Sequence, residues 1–197
     1  MAIDLSFFHL NNISDTCSVW NLLSSRLLYS VACSAGCNFN LTYFVYYECL
    51  HKPRKNPTNR ELELQERLRK ESEKGQFAPY HLQIEDLQDV MILERRMKLS
   101  KGELSCIAFA KKTNQAFLTD DQKARKLAGE VMDRNKIQTT PHLFGWLYFT
   151  KHLGNGDKDS IIKEHSSFSR PLEPYFESMY QEALRCRIMA SSPNRAN

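Results

Sequence analysis

The spacing of apolar residues predicts a helix near the start of the chain. Between Cys17 and Ser34 they recur at steps of three and four residues, which places them in one stripe along a helix. Ser14 or Asp15 is placed to cap this helix, and Gly36 closes it. The short, partly apolar segment Phe7–Ile13 precedes the helix and is expected to be a strand that ends at Asp15.

The rest of the chain alternates between strand-like and helix-like segments. Asn40–Glu48 is apolar on both faces and rich in aromatic and β-branched residues, which is typical of a buried parallel strand. Shorter strands are predicted at residues 77–84, 115–119 and 137–140. Helices are predicted at residues 85–97, from Ser100 onward, and at 122–132, 142–152 and 171–190. This alternation predicts an α/β fold, a parallel sheet flanked by helices on both faces in three α/β/α layers.

One segment departs from this alternation. Lys52–Lys74 begins as a basic, proline-containing stretch and becomes strongly charged, with Glu63 and Arg67 spaced to pair on one helix face. We therefore expect a domain at residues 1–165 that carries a charged helical insertion at about residues 52–97. An amphipathic helix and a tail are expected at residues 166–197.

Acidic residues occur at the ends of the predicted strands. Asp15, Glu48 and the pair Asp120 and Asp121 each follow a strand directly, and Glu103 lies at a helix start. The carboxyl ends of parallel strands lie at one edge of a sheet, where ligands bind. Carboxylates gathered there repel one another unless a cation neutralises them. Because Mg²⁺ and Mn²⁺ prefer oxygen ligands, the pattern favours a metal-dependent phosphodiesterase.

Most of these acids also have a purely structural explanation. Asp15 can be only a helix cap, Glu103 only a first-turn acid, and Asp120 and Asp121 only turn residues. Glu48 is the least easily explained in this way, since no capping role is evident for it. No Gly-x-Ser-x-Gly, His-Glu-x-x-His or phosphate-binding glycine loop supports another hydrolase mechanism.

Composition sets wider limits on function. The net charge of +4 permits a nucleic-acid partner without requiring one. No run of about 18 apolar residues occurs, so a membrane-spanning helix is not expected. The chain starts with an early acid rather than the basic residues of a signal peptide, so the six cysteines are expected to be reduced, in the cytoplasm.

Basic residues cluster in two places, and each cluster can either meet phosphates or form a solvated surface. The candidates for nucleic-acid binding are Lys52, Arg54, Lys55, Arg60, Lys123 and Arg125. Tyr43, Tyr46 and Tyr47 lie within the predicted strand and are interpreted as core residues rather than stacking surfaces.

The motifs around the acids resemble those of PIN-domain nucleases. Leu99–Lys111 begins a helix with Gly-Glu, and Phe117–Ala128 contains Thr-Asp-Asp followed by Ala-Arg, both similar to one branch of this family. Asp15 resembles the family's first acid and Glu48 its second. The similarity extends into Thr140–Gly154, where the family's usual glycine-containing turn is replaced.

The resemblance implies a role for each acid. Asp15, Glu48, Glu103 and Asp121 would be catalytic residues that hold Mg²⁺ or Mn²⁺, with Asp120 as a helper or an alternative fourth ligand. Thr119 would donate a hydrogen bond to one of these carboxylates. Water would then attack phosphorus in line, with no nucleophile supplied by the protein.

The resemblance also implies an endoribonuclease that acts as a toxin or a defence effector. RNA is favoured over DNA as the substrate, and an antitoxin or a complex subunit is an expected partner. The apolar face of the final helix could instead serve formation of a homo-oligomer, and no membrane partner is expected. Two alternatives stay open: a DNA nuclease that works in a complex, and a PIN-like module that binds a partner without chemistry.

Overall fold

A parallel sheet forms the centre of the fold. The computed structural model describes residues 4–191, without the side chains of Ile84 and Ser191. Its five strands lie in the order β3-β2-β1-β4-β5, and every neighbouring pair is parallel. The strands are β1 (Asn11–Ser14), β2 (Asn38–Thr42), β3 (Pro79–Tyr80), β4 (Ala116–Leu118) and β5 (Ile137–Gln138).

Helices connect and flank these strands, and the α/β/α fold class predicted from the sequence is confirmed. In residues 4–191 the α-helices are α1 (Thr16–Ser24), α2 (Arg26–Ser34), α3 (Tyr43–Leu50), α4 (Asn59–Glu73), α5 (Ile84–Arg96), α6 (Lys101–Thr113), α7 (Gln122–Val131), α8 (Thr140–Phe149), α9 (Asp157–Ser167) and α10 (Glu173–Ser191). None of the helices in this part of the chain is long and apolar enough to cross a membrane. The predicted tail after residue 191 lies outside the described residues.

The described residues form two compact units. The sheet unit comprises residues 9–23 and 36–140, and the helical unit comprises residues 4–8, 24–35 and 141–191. In the sheet unit, the strands bury apolar side chains such as Ile13, Leu41 and Phe117 completely. The helical unit has an aromatic core that includes Phe144 and Phe176, whose rings are 4.7 Å apart.

The long helix predicted from Cys17 to Ser34 is wrong, because the chain forms α1 and α2 with a break at Ser25. The Ser25 hydroxyl accepts a hydrogen bond from the backbone N of Leu28 at 3.0 Å and caps α2. The apolar stripe crosses the break without interruption, so the spacing of apolar residues gave no sign of it. The serine, a residue type favoured at helix starts, was the local signal.

The long strand predicted at Asn40–Glu48 is also wrong. Strand β2 ends at Thr42, whose hydroxyl accepts from the backbone N of Val45 and caps helix α3. An apolar run of this length fits a buried strand or a buried helix, so periodicity alone could not decide. Glu48 therefore lies on a helix, and Tyr43 and Tyr47 are exposed rather than part of the core.

Smaller differences concern the ends of elements. The strand predicted at residues 77–84 is reduced to β3, and Thr140 begins α8 instead of ending β5. Helix α9 was not predicted, because its apolar positions are few. None of the six cysteines, which all lie within residues 4–191, is in a disulfide, and Cys37, Cys49 and Cys106 are buried.

Candidate carboxylate site

Two neighbouring strands of the sheet end in acidic residues. Strand β1 is followed directly by Asp15, and β4 is followed by Thr119 and Asp120. The two strands pair in parallel with Ser14 beside Leu118, and the backbone N of Asp15 donates to Leu118 O at 3.3 Å. The order of strands reverses here, because β2 lies on one side of β1 and β4 on the other. Ligands of open parallel sheets bind at such a position.

Asp15 is fully buried and held by side-chain and backbone donors. Its Oδ1 accepts from the backbone N of Ser18 at 2.8 Å and from Ser18 Oγ at 2.7 Å, and its Oδ2 accepts from Thr119 Oγ1 at 2.5 Å. The pKa of the Asp15 carboxyl is raised to about 7, because burial and the negative charge of Asp120 together outweigh the hydrogen bonds that lower it. The contact with Ser18 N caps α1, so Asp15 has a structural function as well.

Asp120 is held in the same way by three donors. Its Oδ1 accepts from the backbone N of Thr140 at 2.9 Å, and its Oδ2 accepts from Thr140 Oγ1 at 2.6 Å and Asn21 Nδ2 at 2.7 Å. Burial raises the pKa of the Asp120 carboxyl, while these hydrogen bonds and the positive charge of Arg125 lower it. A carboxylate with this many donors is fixed in direction, which suits a ligand or a structural hub.

Glu48 approaches the same edge from helix α3. The hydroxyl of Thr16, the residue after Asp15, donates to Glu48 Oε2 at 2.7 Å. The carboxylate also lies against Gly102 of α6, where an added Cβ would be 2.6 Å from Oε2. The negative charges of Asp15 and Glu48 both raise the pKa of the buried Cys106 thiol, in addition to the effect of burial. The two acids therefore act on one region.

The two remaining acids of the predicted set contact their own helices. Glu103 Oε2 accepts from the backbone N of Ser100 at 2.8 Å, and Ser100 Oγ accepts from the N of Glu103, which is a complete capping box for α6. Asp121 Oδ1 accepts from the backbone N of Ala124 at 2.8 Å and caps α7. Metal ligation by these two acids stays a prediction.

Carboxylate oxygens at this edge fit an oxygen-preferring divalent cation. The buried Asp15, the fixed Asp120 and the space that Gly102 leaves for Glu48 are the observations that support this fit. Within residues 4–191, no three or more His, Cys, Asp or Glu side chains are gathered closely enough to hold a metal ion as they stand.

The basic residues predicted to bind nucleic acid differ in their exposure and in their contacts with other side chains. Lys52, Lys55, Lys123 and Arg125 are exposed, as is Arg60. Arg54 instead pairs with Glu61 at 3.0 Å, and its guanidinium lies 5.6 Å from the centre of the Trp20 ring. Their contacts with nucleic acid stay predictions.

Sequence reasoning missed most of the donors that hold the acids. Only the hydrogen bond from Thr119 to a carboxylate was predicted, and it is present on Asp15. Ser18 could have been found, since it stands three residues after Asp15 at a helix start. Asn21 and Thr140 gave no local signal, because Asp120 is 99 and 20 residues away from them.

Comparison with known proteins agrees with the fold and the motifs. The model of the DUF3368 family, described as a PIN domain, matches residues 13–140, which is well over half of the chain and includes all five acids. The chain belongs to the PIN-domain family, as its motifs predicted. No curated protein and no solved structure matched the chain.

Proposed function

We propose that this protein is a nuclease that depends on Mg²⁺ or Mn²⁺ and cleaves RNA. The observation that carries this function is the position of Asp15 and Asp120 after two adjacent strands, where the strand order reverses. Membership of the PIN-domain family supports nuclease chemistry at that edge. The net charge of +4 is compatible with a polyanionic substrate.

Asp15, Glu48 and Asp120 would hold the cation, and Glu103 and Asp121 are further acids beside them. A bound divalent cation supplies charge stabilisation at the scissile phosphate and lowers the pKa of water. Ser18 and Thr119 orient the Asp15 carboxylate through their hydroxyls.

Hydrogen bonds also orient the carboxylates of Asp120 and Glu48, whereas the basic residues contact the substrate. Asn21 and Thr140 fix Asp120, and Thr16 fixes Glu48. Exposed Lys123 and Arg125, on the helix after Asp121, meet the phosphates of the substrate.

We extend this function to a toxin or defence effector that acts in the cytoplasm. Six free cysteines agree with a reducing compartment. An antitoxin or a complex subunit is the partner this role requires, and α10 offers the exposed Ile188 and Met189 for self-association. Size-exclusion chromatography with light scattering would measure whether the protein is a homo-oligomer.

The test is cleavage of labelled single-stranded RNA and matched DNA in Mn²⁺, Mg²⁺ or EDTA. We expect wild type to cut RNA only with metal, and Asp15→Asn to cut at least about 100-fold more slowly because a charged ligand is lost. Asp159→Asn is the matched control, since that aspartate is 86% exposed on α9. Cutting that persists in EDTA or in Asp15→Asn would refute the proposed site, and preference for DNA would select the DNA-nuclease alternative.

A protein-binding module is the second candidate, and one surface favours it. Helix α5 exposes Leu87, Met91 and Ile92 beside a shallow groove between α5, α6 and the end of α7. Exposed apolar side chains in such a cluster are typical of interaction surfaces. Titration calorimetry with Mn²⁺ separates the two candidates: a folded protein that binds no Mn²⁺ and cuts no nucleic acid would be a binding module.

A further inference from the structure

Four exposed aromatic rings form a row along helix α3. Tyr43, Tyr47 and His51 are spaced by four residues, so they follow one face of the helix and its end over about 12 Å. His81 extends the row, with its ring stacked on Tyr43 at 4.9 Å and 23° between the planes. The rings of Tyr47 and His51 are also nearly parallel, at 6.4 Å and 21°. We call these four residues the aromatic row.

The aromatic row faces solvent although its members are large and partly apolar. Tyr43 and Tyr47 are each 45% exposed, and both histidines are exposed as well. The half-buried Tyr46 lies 6.2 Å from the Tyr43 ring and 5.5 Å from the His51 ring, which supports the row from beside it. Rings that are exposed, nearly parallel and fixed by neighbours offer flat faces on which nucleotide bases stack.

Positive charge continues the row at its far end. Lys52 follows His51 directly, and Lys55 lies three residues later, both exposed. Stacking faces beside exposed lysines match a nucleic-acid strand, whose bases project from a backbone of sugars and charged phosphates.

The aromatic row shares helix α3 with one acid of the carboxylate site. Glu48 is the residue after Tyr47, and its carboxylate accepts from Thr16, the neighbour of Asp15. A strand lying on the row would therefore run along the helix that carries Glu48. A duplex keeps its bases stacked inside, so only unpaired bases can use these ring faces.

We propose that the aromatic row is a stacking platform for unpaired bases of a nucleic-acid strand that leads to the carboxylate site. Binding to the platform requires only the rings and lysines, whereas cleavage of the bound strand rests on the proposed nuclease function. Tyr47, beside Glu48 and at the centre of the row, carries the largest share of the stacking.

The experiment measures binding without cleavage. Fluorescence anisotropy of a labelled single-stranded oligoadenylate is recorded in EDTA for wild type, Tyr47→Ala, Tyr47→Phe and Tyr175→Ala. Tyr175, which is 59% exposed on α10 of the helical unit, is the matched control. We expect Tyr47→Ala to weaken binding about tenfold, because one stacked base is lost. Tyr47→Phe, which keeps the ring, and Tyr175→Ala should stay within about twofold of wild type.

A second probe isolates the base. On an oligonucleotide of the same length with abasic residues, Tyr47→Ala and wild type should bind equally, because no base is present to stack. Equal binding of oligoadenylate by wild type and Tyr47→Ala, or an equal loss in Tyr47→Phe, would overturn the stacking platform. Thermal melting of each variant confirms that it is folded.

The two proposals fail separately. If the protein binds through Tyr47 but does not cut RNA in Mn²⁺, the stacking platform is supported and the nuclease function is refuted. If the protein cuts RNA but Tyr47→Ala binds the oligonucleotide as tightly as wild type, the nuclease function is supported and the stacking platform is refuted.

Discussion

Two buried ionisable side chains, one in each unit, have opposite surroundings. At the sheet edge, Asp15 is 0% exposed, yet three hydrogen bonds reach its carboxylate. In the helical unit, His165 is 1% exposed, and neither ring nitrogen has a hydrogen-bond partner among the described residues. Its ring instead packs edge-on against Phe176, with 4.8 Å between the ring centres.

The difference separates a buried side chain that is held by hydrogen bonds from one that is held by ring packing. Burial raises the pKa of the Asp15 carboxyl to about 7, and burial with the charge of Arg170 lowers the pKa of the His165 ring to about 3. The histidine is therefore neutral near pH 7 and packs as an aromatic ring. The donors around Asp15 instead fix the direction of its carboxyl group.

The largest expected effect comes from Gly102→Ala. The new Cβ would lie 2.6 Å from Glu48 Oε2, so the flexible carboxylate must move away while the backbone stays in place. We expect metal-dependent cleavage to fall about 100-fold, since displacing a catalytic group by about 1 Å has that effect. The free energy of unfolding, measured in urea, should change little.

Gly129→Ala in α7 is the matched control for this substitution. Its added Cβ would meet the nearest atom, Arg134 Nε, only at 3.7 Å. Cleavage should be unchanged, and stability should rise by up to about 1 kcal/mol through helix propensity. If Gly102→Ala cuts RNA as fast as Gly129→Ala, Glu48 does not belong to the site.

An effect of intermediate size is expected on the free energy of unfolding when the pH is lowered, and its origin is His165 in the helical unit. Below pH about 6.5 the unfolded chain protonates His165, whereas the folded chain does not until about pH 3, so stability falls as the pH falls. Between about pH 7.5 and 5 this amounts to about 2 kcal/mol. His165→Leu should lack this component in urea unfolding at both pH values. Identical pH dependence in the two proteins would show that His165 is not held neutral.

The smallest effect is expected from Glu103→Gln. Glutamine can replace glutamate in a capping box, so stability should stay within about 0.5 kcal/mol of wild type. Removal of the negative charge near the cation should slow cleavage about tenfold. Unchanged cleavage would show that Glu103 is only a cap, and Glu103→Ala would then lose about 1 kcal/mol of stability without loss of rate.

The sequence identified the sheet edge better than it identified the elements that form it. Asp15 and Asp120 were placed correctly after β1 and β4, because a polar residue that ends an apolar segment is a local signal. Glu48 was assigned to a strand end and lies on α3, because the cap at Thr42 was not recognised. A single serine or threonine decides such a boundary, and apolar spacing does not register it.

The donors and the aromatic row needed the structure for another reason. Asn21 and Asp120, which form a hydrogen bond, are 99 residues apart in sequence. Tyr43 and His81, whose rings stack, are separated in sequence by a segment that includes α4. Contacts of that separation are set by the packing of the whole sheet and leave no pattern within a short window. Tyr43 and Tyr47 were interpreted as core residues because the same amino acids are common inside strands.

The central position of β1 has a consequence for synthesis on the ribosome. This strand is translated well before its neighbour β4 and before Thr140, the residue that holds Asp120. Pairings between distant segments form late in folding. The acidic edge is therefore assembled only when the chain as far as Thr140 has left the exit tunnel, long after β1 has emerged.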